Sequence, residues 1–119
     1  DFLLAVGSSA PRANLELVLT RTDLKDYFDA LVSGEDVPNG KPAPDTFLKA
    51  AEKLSLDAEN CVVVEDAIQG VDAGKAAGMP VVAVTTTRSR ADLQKADIIV
   101  DSLAQLQARQ FIDLLRNRK

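Results

Sequence analysis

No histidine occurs among the 119 residues. This removes the commonest general base near neutral pH and the commonest zinc ligand. Any acid–base or metal chemistry must therefore use carboxylates, lysines or hydroxyls. Tryptophan is also absent and aromatic residues make up only 4% of the chain, so a core has to be built from Val, Leu, Ile and Ala. With a single cysteine, Cys61, no intrachain disulfide can form. That fits a reducing compartment, and a cytoplasmic location is expected. Cys61 opens an apolar run and reads as a small buried hydrophobe. No apolar run approaches the roughly 20 residues of a membrane-spanning helix, and no signal-peptide pattern opens the chain. The balance of 14 basic and 18 acidic residues lacks the basic surplus that a nucleic-acid backbone calls for. Neither nucleic acid nor a membrane is expected as a partner.

What is present is enough apolar material, 46% of the chain, for one packed core, and the length suits one domain over residues 1–119. The chain is organised around Val62-Val63-Val64-Glu65-Asp66 and the small-residue stretch that follows. The valine run does not alternate with polar residues, which predicts a strand buried on both faces of a parallel sheet. Ligands of such sheets gather outside the carboxyl ends of the strands, where Glu65 and Asp66 fall. Two adjacent carboxylates repel unless a positive group lies beside them. A hard cation such as Mg²⁺ meets that need, because it binds a few carboxylate oxygens together with water and substrate phosphate. Alternatively, the pair only caps and charges the next helix.

Residues 2–6 read as a first apolar strand. A chain rarely starts inside a core element, so an upstream segment is expected. Gly7-Ser8-Ser9 turns the chain, and Pro11 suits the first turn of a helix with Leu15, Val18 and Leu19 on its apolar face. Ser8 and Ser9 stand either as N-caps or as anion ligands beside free backbone N–H groups. Residues 23–28 predict a short helix capped by Asp23, and residues 30–32 a brief strand. The loop over residues 33–40 leads to Lys41-Pro42-Ala43-Pro44, whose prolines stiffen the backbone around Lys41. Lys41 is either a placed cation or a solvated charge. As a loop residue, it should be removable without opening a cavity or harming the fold. Phe47, Ala50, Ala51 and Leu54 then follow helical spacing.

After the acidic pair, Ala67, Gly70, Val71, Gly74 and Ala77 share one helix face. Its interior glycines, each costing roughly 1 kcal/mol against Ala, imply close packing. Gly78 suits the position just past the helix end. Residues 80–84 form the next strand, residues 88–96 a helix or helical turn, and residues 97–101 the last strand. Ser102 is expected to cap a final helix carrying Leu103, Leu106, Phe111, Leu114 and Leu115. Arg116, Arg118 and Lys119 would lie at its negative end as a solvated terminus. The alternation of strands and helices indicates an α/β domain with a mainly parallel sheet.

Three stretches together resemble the haloacid dehalogenase-like (HAD) hydrolase superfamily, in its β-phosphoglucomutase-like and phosphoglycolate-phosphatase-like branch. Val6-Gly7-Ser8-Ser9 resembles the second family motif, Gly40 to Phe47 the third, and Val63-Val64-Glu65-Asp66 with Gly70 and Ala76-Ala77-Gly78-Met79 the fourth. The resemblance implies a Rossmann-like parallel sheet with helices on both faces. It also implies Ser8, Lys41 and Asp66 as catalytic residues. Ser8, Ser9 and Lys41 would bind phosphate, and Glu65 and Asp66 would hold Mg²⁺. The implied substrate is a small phosphorylated metabolite.

The family's first motif, an Asp-x-Asp that supplies the nucleophile and the acid–base, occurs nowhere in the chain. The cap domain of this branch is missing as well. Residues 1–119 therefore resemble a partial core, with motifs two to four and without the first strand. That strand would lie between the strands of motifs two and four, leaving a slot whose unpaired backbone groups would be costly. A complementing N-terminal segment, self-association or re-pairing of the sheet is expected to resolve it. Such a chain is expected to be inactive alone. The alternatives are a non-catalytic remnant that keeps a metal and phosphate site and, more distantly, a receiver-like signalling domain.

Overall fold

The computed structural model describes residues 2–116. Arg118 and Lys119, which the sequence placed at the end of the last helix, lie outside the described residues. Five strands and four helices alternate: β1 (Ala5–Gly7), α1 (Arg12–Arg21), β2 (Ala30–Val32), α2 (Asp45–Lys53), β3 (Val63–Glu65), α3 (Ile68–Ala76), β4 (Val81–Val84), β5 (Ile98–Val100) and α4 (Ala108–Arg116). Every strand pairing is parallel. The strands do not form one continuous sheet. β1 pairs with β2 alone, and β3-β4-β5 make a separate three-stranded sheet. Among the described residues β1, the strand of Gly7, and β3, the strand of Glu65, are therefore not paired with each other.

Side-chain alternation divides the core between two faces. Val63, Val81 and Ala83 pack with Phe47 and Ala51 of α2 and with Val71 and Ala73 of α3. Val82, Val84 and Val100 face the other way, against Leu106 and against Phe111 and Leu114 of α4. β4, between two neighbours, is buried on both faces throughout. β3 is not, contrary to the expectation for its valine run. Val64 sits opposite Val82 in the register but is 44% exposed, because β3 is an edge strand here. No helix among the described residues is long and apolar enough to cross a membrane.

Several elements differ from the sequence expectation. The first strand starts at Ala5, not at residue 2. Leu4 still exchanges hydrogen bonds with Asp29, but Phe2 turns away to meet Phe111 edge-on, with ring centroids 6.4 Å apart. Val18 is exposed, and α1 is buried only along Leu15 and Leu19. Asp23 caps nothing. Its left-handed backbone (φ 57°) follows the end of α1, and only a 3-10 turn, Lys25–Tyr27, comes after it. Within residues 88–96 the helical turn is a short 3-10 turn at Ala91–Leu93, in keeping with the expectation of a helix or helical turn. Ser102 does cap, but its Oγ accepts from the Ala104 N–H at the start of a separate 3-10 turn, Leu103–Gln105. α4 begins only at Ala108, so Leu103 and Leu106 precede it.

The glycines of α3 do what close packing requires. Gly78 (φ 77°) ends the helix in a Schellman arrangement, with Gly78 N–H donating to Lys75 O and Met79 N–H to Gly74 O. At Gly74 an added Cβ would lie 2.6 Å from Val81 Cγ2 and 3.2 Å from Val63 Cβ. Gly74→Ala is therefore expected to destabilise, since overpacking costs about 1–3 kcal/mol against a helix-propensity gain of about 1 kcal/mol. Urea denaturation checks this, with Gly40→Ala as the control because no atom lies within 4 Å of a Cβ there. The Gly74 variant should lose midpoint and the control should not.

Candidate active site

Parallel pairing puts the carboxyl ends of the strands in each sheet on one side. β1 runs into Gly7-Ser8-Ser9, β3 into Glu65-Asp66 and β4 into Thr85-Thr86-Thr87. Lys41 comes from the loop between β2 and α2, where its peptide bond to Pro42 is cis. It reaches across the break between the sheets. Its ammonium donates to the Gly7 carbonyl (3.1 Å) and to Glu65 Oε2 (2.5 Å), and lies 4.9 Å from the Phe47 ring centroid. Cation, carbonyl, carboxylate and aromatic face thus meet at one point.

Lys41 is not a solvated loop charge. Its side chain is only 14% exposed and that of Glu65 only 11%. The expectation that Lys41 can be removed without harm to the fold is corrected by this geometry, since a nearly buried carboxylate depends on it.

Glu65 has a second role at its other oxygen. Oε1 accepts from the N–H groups of Asp66 (3.2 Å) and Ala67 (3.4 Å), just ahead of α3. Ala67, the residue at the helix cap, has no side chain that could do this. Gly70 makes room for the arrangement, because a Cβ there would fall 2.0 Å from the Glu65 carboxyl carbon. The two interior glycines of α3 therefore serve different neighbours, Gly74 the sheet and Gly70 the carboxylate.

Asp66 is held from the β4 side. Thr87 Oγ1 donates to the Asp66 backbone carbonyl at 3.0 Å and lies 3.4 Å from Oδ2, and Thr86 Oγ1 approaches Oδ2 at 3.3 Å. Ser8 accepts the Ala10 N–H at 3.0 Å through Oγ, and its own N–H donates to Val32 O. Ser8 does not cap α1. The first N–H of that helix, on Arg12, is taken by the Glu35 carboxylate at 2.7 Å. Ser9 is exposed beside it. The structure thus gathers Gly7, Lys41, Glu65 and Asp66 into one constellation, with Ser8 joined to it through Gly7.

Two residues at this end escaped the sequence reading, Thr86 and Thr87. Their position straight after the buried strand β4 is the signal that could have found them. Two carboxyls at the edges of the region are shifted. The Asp36 carboxyl is lowered to about 2, chiefly by the Ser33 N–H, with the Ser33 hydroxyl and Arg12 assisting against desolvation. Asp101 is lowered by the Thr85 hydroxyl first and by the charge of Arg90 second.

Among the described residues no group of three or more His, Cys, Asp or Glu side chains converges as a metal cage. The donor set still fits Mg²⁺ by its chemistry. This ion needs one or two carboxylates, with water and phosphate oxygens completing the octahedron. Asp66 offers such a carboxylate, and Glu65 is adjacent.

Comparison with known proteins places this geometry. Residues 1–84 match the family model described as haloacid dehalogenase-like hydrolase, and the chain belongs to that family. It is 39% identical over 112 residues to hexitol phosphatase B of Escherichia coli, which covers 92% of this chain and 50% of that protein. It is 44% identical over 81 residues to fructose-1-phosphate phosphatase YqaB of Escherichia coli, covering 68% of this chain and 43% of that one. Among solved structures, β-phosphoglucomutase from Clostridium difficile superposes with a TM-score of 0.86 at 30% identity, over 98% of this chain and 50% of that one. The chain thus spans about half the length of hexitol phosphatase B and of the phosphoglucomutase chain.

Proposed function

We propose that this chain is the Lys41–Glu65–Asp66 portion of a Mg²⁺-dependent phosphoryl-transfer enzyme, a phosphatase or phosphoglucomutase-like mutase acting on a small sugar phosphate. One observation carries the proposal: the Lys41 ammonium bridges the Gly7 carbonyl and the Glu65 carboxylate, next to Asp66 and Ser8. Sugar-phosphate phosphatases and a phosphoglucomutase among the similar proteins support the substrate class.

In this role Lys41 neutralises phosphoryl oxygens, and Ser8 donates its hydroxyl hydrogen to one of them. Ser9 assists from the same turn. Asp66, with Glu65 beside it, holds the metal. When bound, Mg²⁺ would supply charge neutralisation at the phosphoryl group. Glu65 holds Lys41 in place through the contact of its Oε2 with the ammonium.

The same proposal includes a partner. β1 and β3 each have one strand neighbour, and a complementing N-terminal strand ending in Asp-x-Asp would join them and bring the nucleophile. Without it, the free edges favour self-association. The non-catalytic alternative uses the same residues and differs only in lacking that partner.

Calorimetric titration of Mg²⁺ into wild type and Asp66→Asn tests the metal assignment. Weak, millimolar binding by wild type that Asp66→Asn loses is expected. Equal binding by both proteins rejects the site.

A further inference from the structure

The Thr86-Thr87 pair lies outside the three motif stretches, yet it makes all the side-chain hydrogen bonds that Asp66 receives among the described residues. The two hydroxyls divide the work. Each has a single hydrogen to donate. That of Thr87 goes to the Asp66 carbonyl at 3.0 Å, its best-placed acceptor, while Thr86 serves Oδ2 at 3.3 Å. Asp66 is therefore gripped at the main chain and at one carboxylate oxygen. Oδ1 has no hydrogen bond among the described residues. Both threonines are exposed, so they do not pack the core. They follow closely on β4, which is buried on both faces. Thr85 is also pinned, by its hydroxyl to Asp101 Oδ1 (2.7 Å) and by its N–H to Val100 O.

We infer that Thr86 and Thr87 are positioning residues that orient the Asp66 carboxylate for a divalent cation, with Oδ2 tethered and Oδ1 left for the ion. This rests on the metal role given to Asp66 above. The physical reason is that a carboxylate on a loop loses side-chain freedom when it takes up a ligand. A tether that fixes it beforehand removes part of that cost. Partners outside the ligand sphere that orient a ligand are typically worth about 10–100-fold in metal affinity. Exposed hydroxyls at 3.3 Å belong at the lower end, about tenfold.

The experiment uses the whole 119-residue chain with Mn²⁺ as the probe, free ion being read by electron paramagnetic resonance. Four proteins are compared: wild type, Asp66→Asn, Thr86→Val/Thr87→Val and Thr86→Ser/Thr87→Ser. Equal urea midpoints for wild type and the valine variant establish that folding is untouched, as exposed positions predict. If the midpoints differ, Thr86→Val alone, which removes the tether on Oδ2, replaces the double variant. The expected result is affinity about tenfold lower for the valine variant and restored by the serine variant, with Asp66→Asn binding no ion. Wild-type affinity in the valine variant, with Asp66→Asn still inactive in binding, overturns the positioning role and leaves Asp66 a ligand. Binding that Asp66→Asn does not weaken overturns the metal role and the positioning role with it.

Discussion

Purified by itself, the 119-residue chain is expected to release no phosphate from an aryl phosphate above the uncatalysed rate, with or without Mg²⁺. The expected effect is the whole enzymatic acceleration, on the order of 10⁶ or more. Attack on phosphorus through an aspartyl-phosphate needs a free carboxylate in line with the leaving group. Glu65 is engaged by Lys41 and by two backbone amides, and Asp66 is tethered by Thr86 and Thr87. No Asp-x-Asp exists in the chain to do the work instead. β1 and β3 each have one strand neighbour among the described residues, so the proposed strand could pair with both. Under the proposed complementation, one added strand would supply the nucleophile and join the two sheets. A colorimetric phosphatase assay checks this. Robust turnover that Asp66→Ala abolishes would mean that the chain contains its own nucleophile.

Lys41→Ala is expected to be the most damaging single substitution at the site. It strips the cation from a carboxylate whose side chain is 11% exposed. Breaking a fully buried pair in this way costs about 3–5 kcal/mol, and the residual exposure of both groups brings the figure here to about 2–3 kcal/mol. Lys41→Met separates charge from packing, since its chain can still lie against Phe47. Glu65→Gln should then recover part of the loss, because the orphaned charge is gone. Urea midpoints of the two single variants and the double variant measure the coupling. An unchanged midpoint in Lys41→Met would make Lys41 a mere surface charge. In a complemented, active form the same change should lower kcat by about 10²–10³, by analogy with removal of an oxyanion-hole donor.

Much of this architecture was legible in the residues because it depends on local rules. The unbroken apolar run before Thr85 gave β4, and Gly78 marked the end of α3 by its left-handed backbone. The small face of α3 pointed to tight packing, although Gly70 proved to accommodate Glu65 and not the sheet. What failed depended on neighbours distant in sequence. Val64 looks like a core residue, but β3 has a single strand partner among the described residues, which leaves Val64 open to solvent. Residues 2–4 have strand character, but β1 starts only at Ala5, and Phe2 meets Phe111 of α4 edge-on. The burial of Lys41 could not be read from its loop. It follows from the meeting of Gly7, Phe47 and Glu65 in three dimensions. Thr86 and Thr87 went unassigned because a threonine at a strand end has many uses, and only proximity to Asp66 selects one.

The most direct test of the account is complementation. The purified chain is mixed with a peptide or domain carrying a strand that ends in Asp-x-Asp, and aryl-phosphate hydrolysis is followed with Mg²⁺ and with chelator. Mg²⁺-dependent turnover should appear on mixing, saturate with added segment, and vanish when either Asp66→Asn or Lys41→Met replaces the wild-type chain. A segment that binds the chain without producing turnover would contradict the account, as would turnover indifferent to both substitutions.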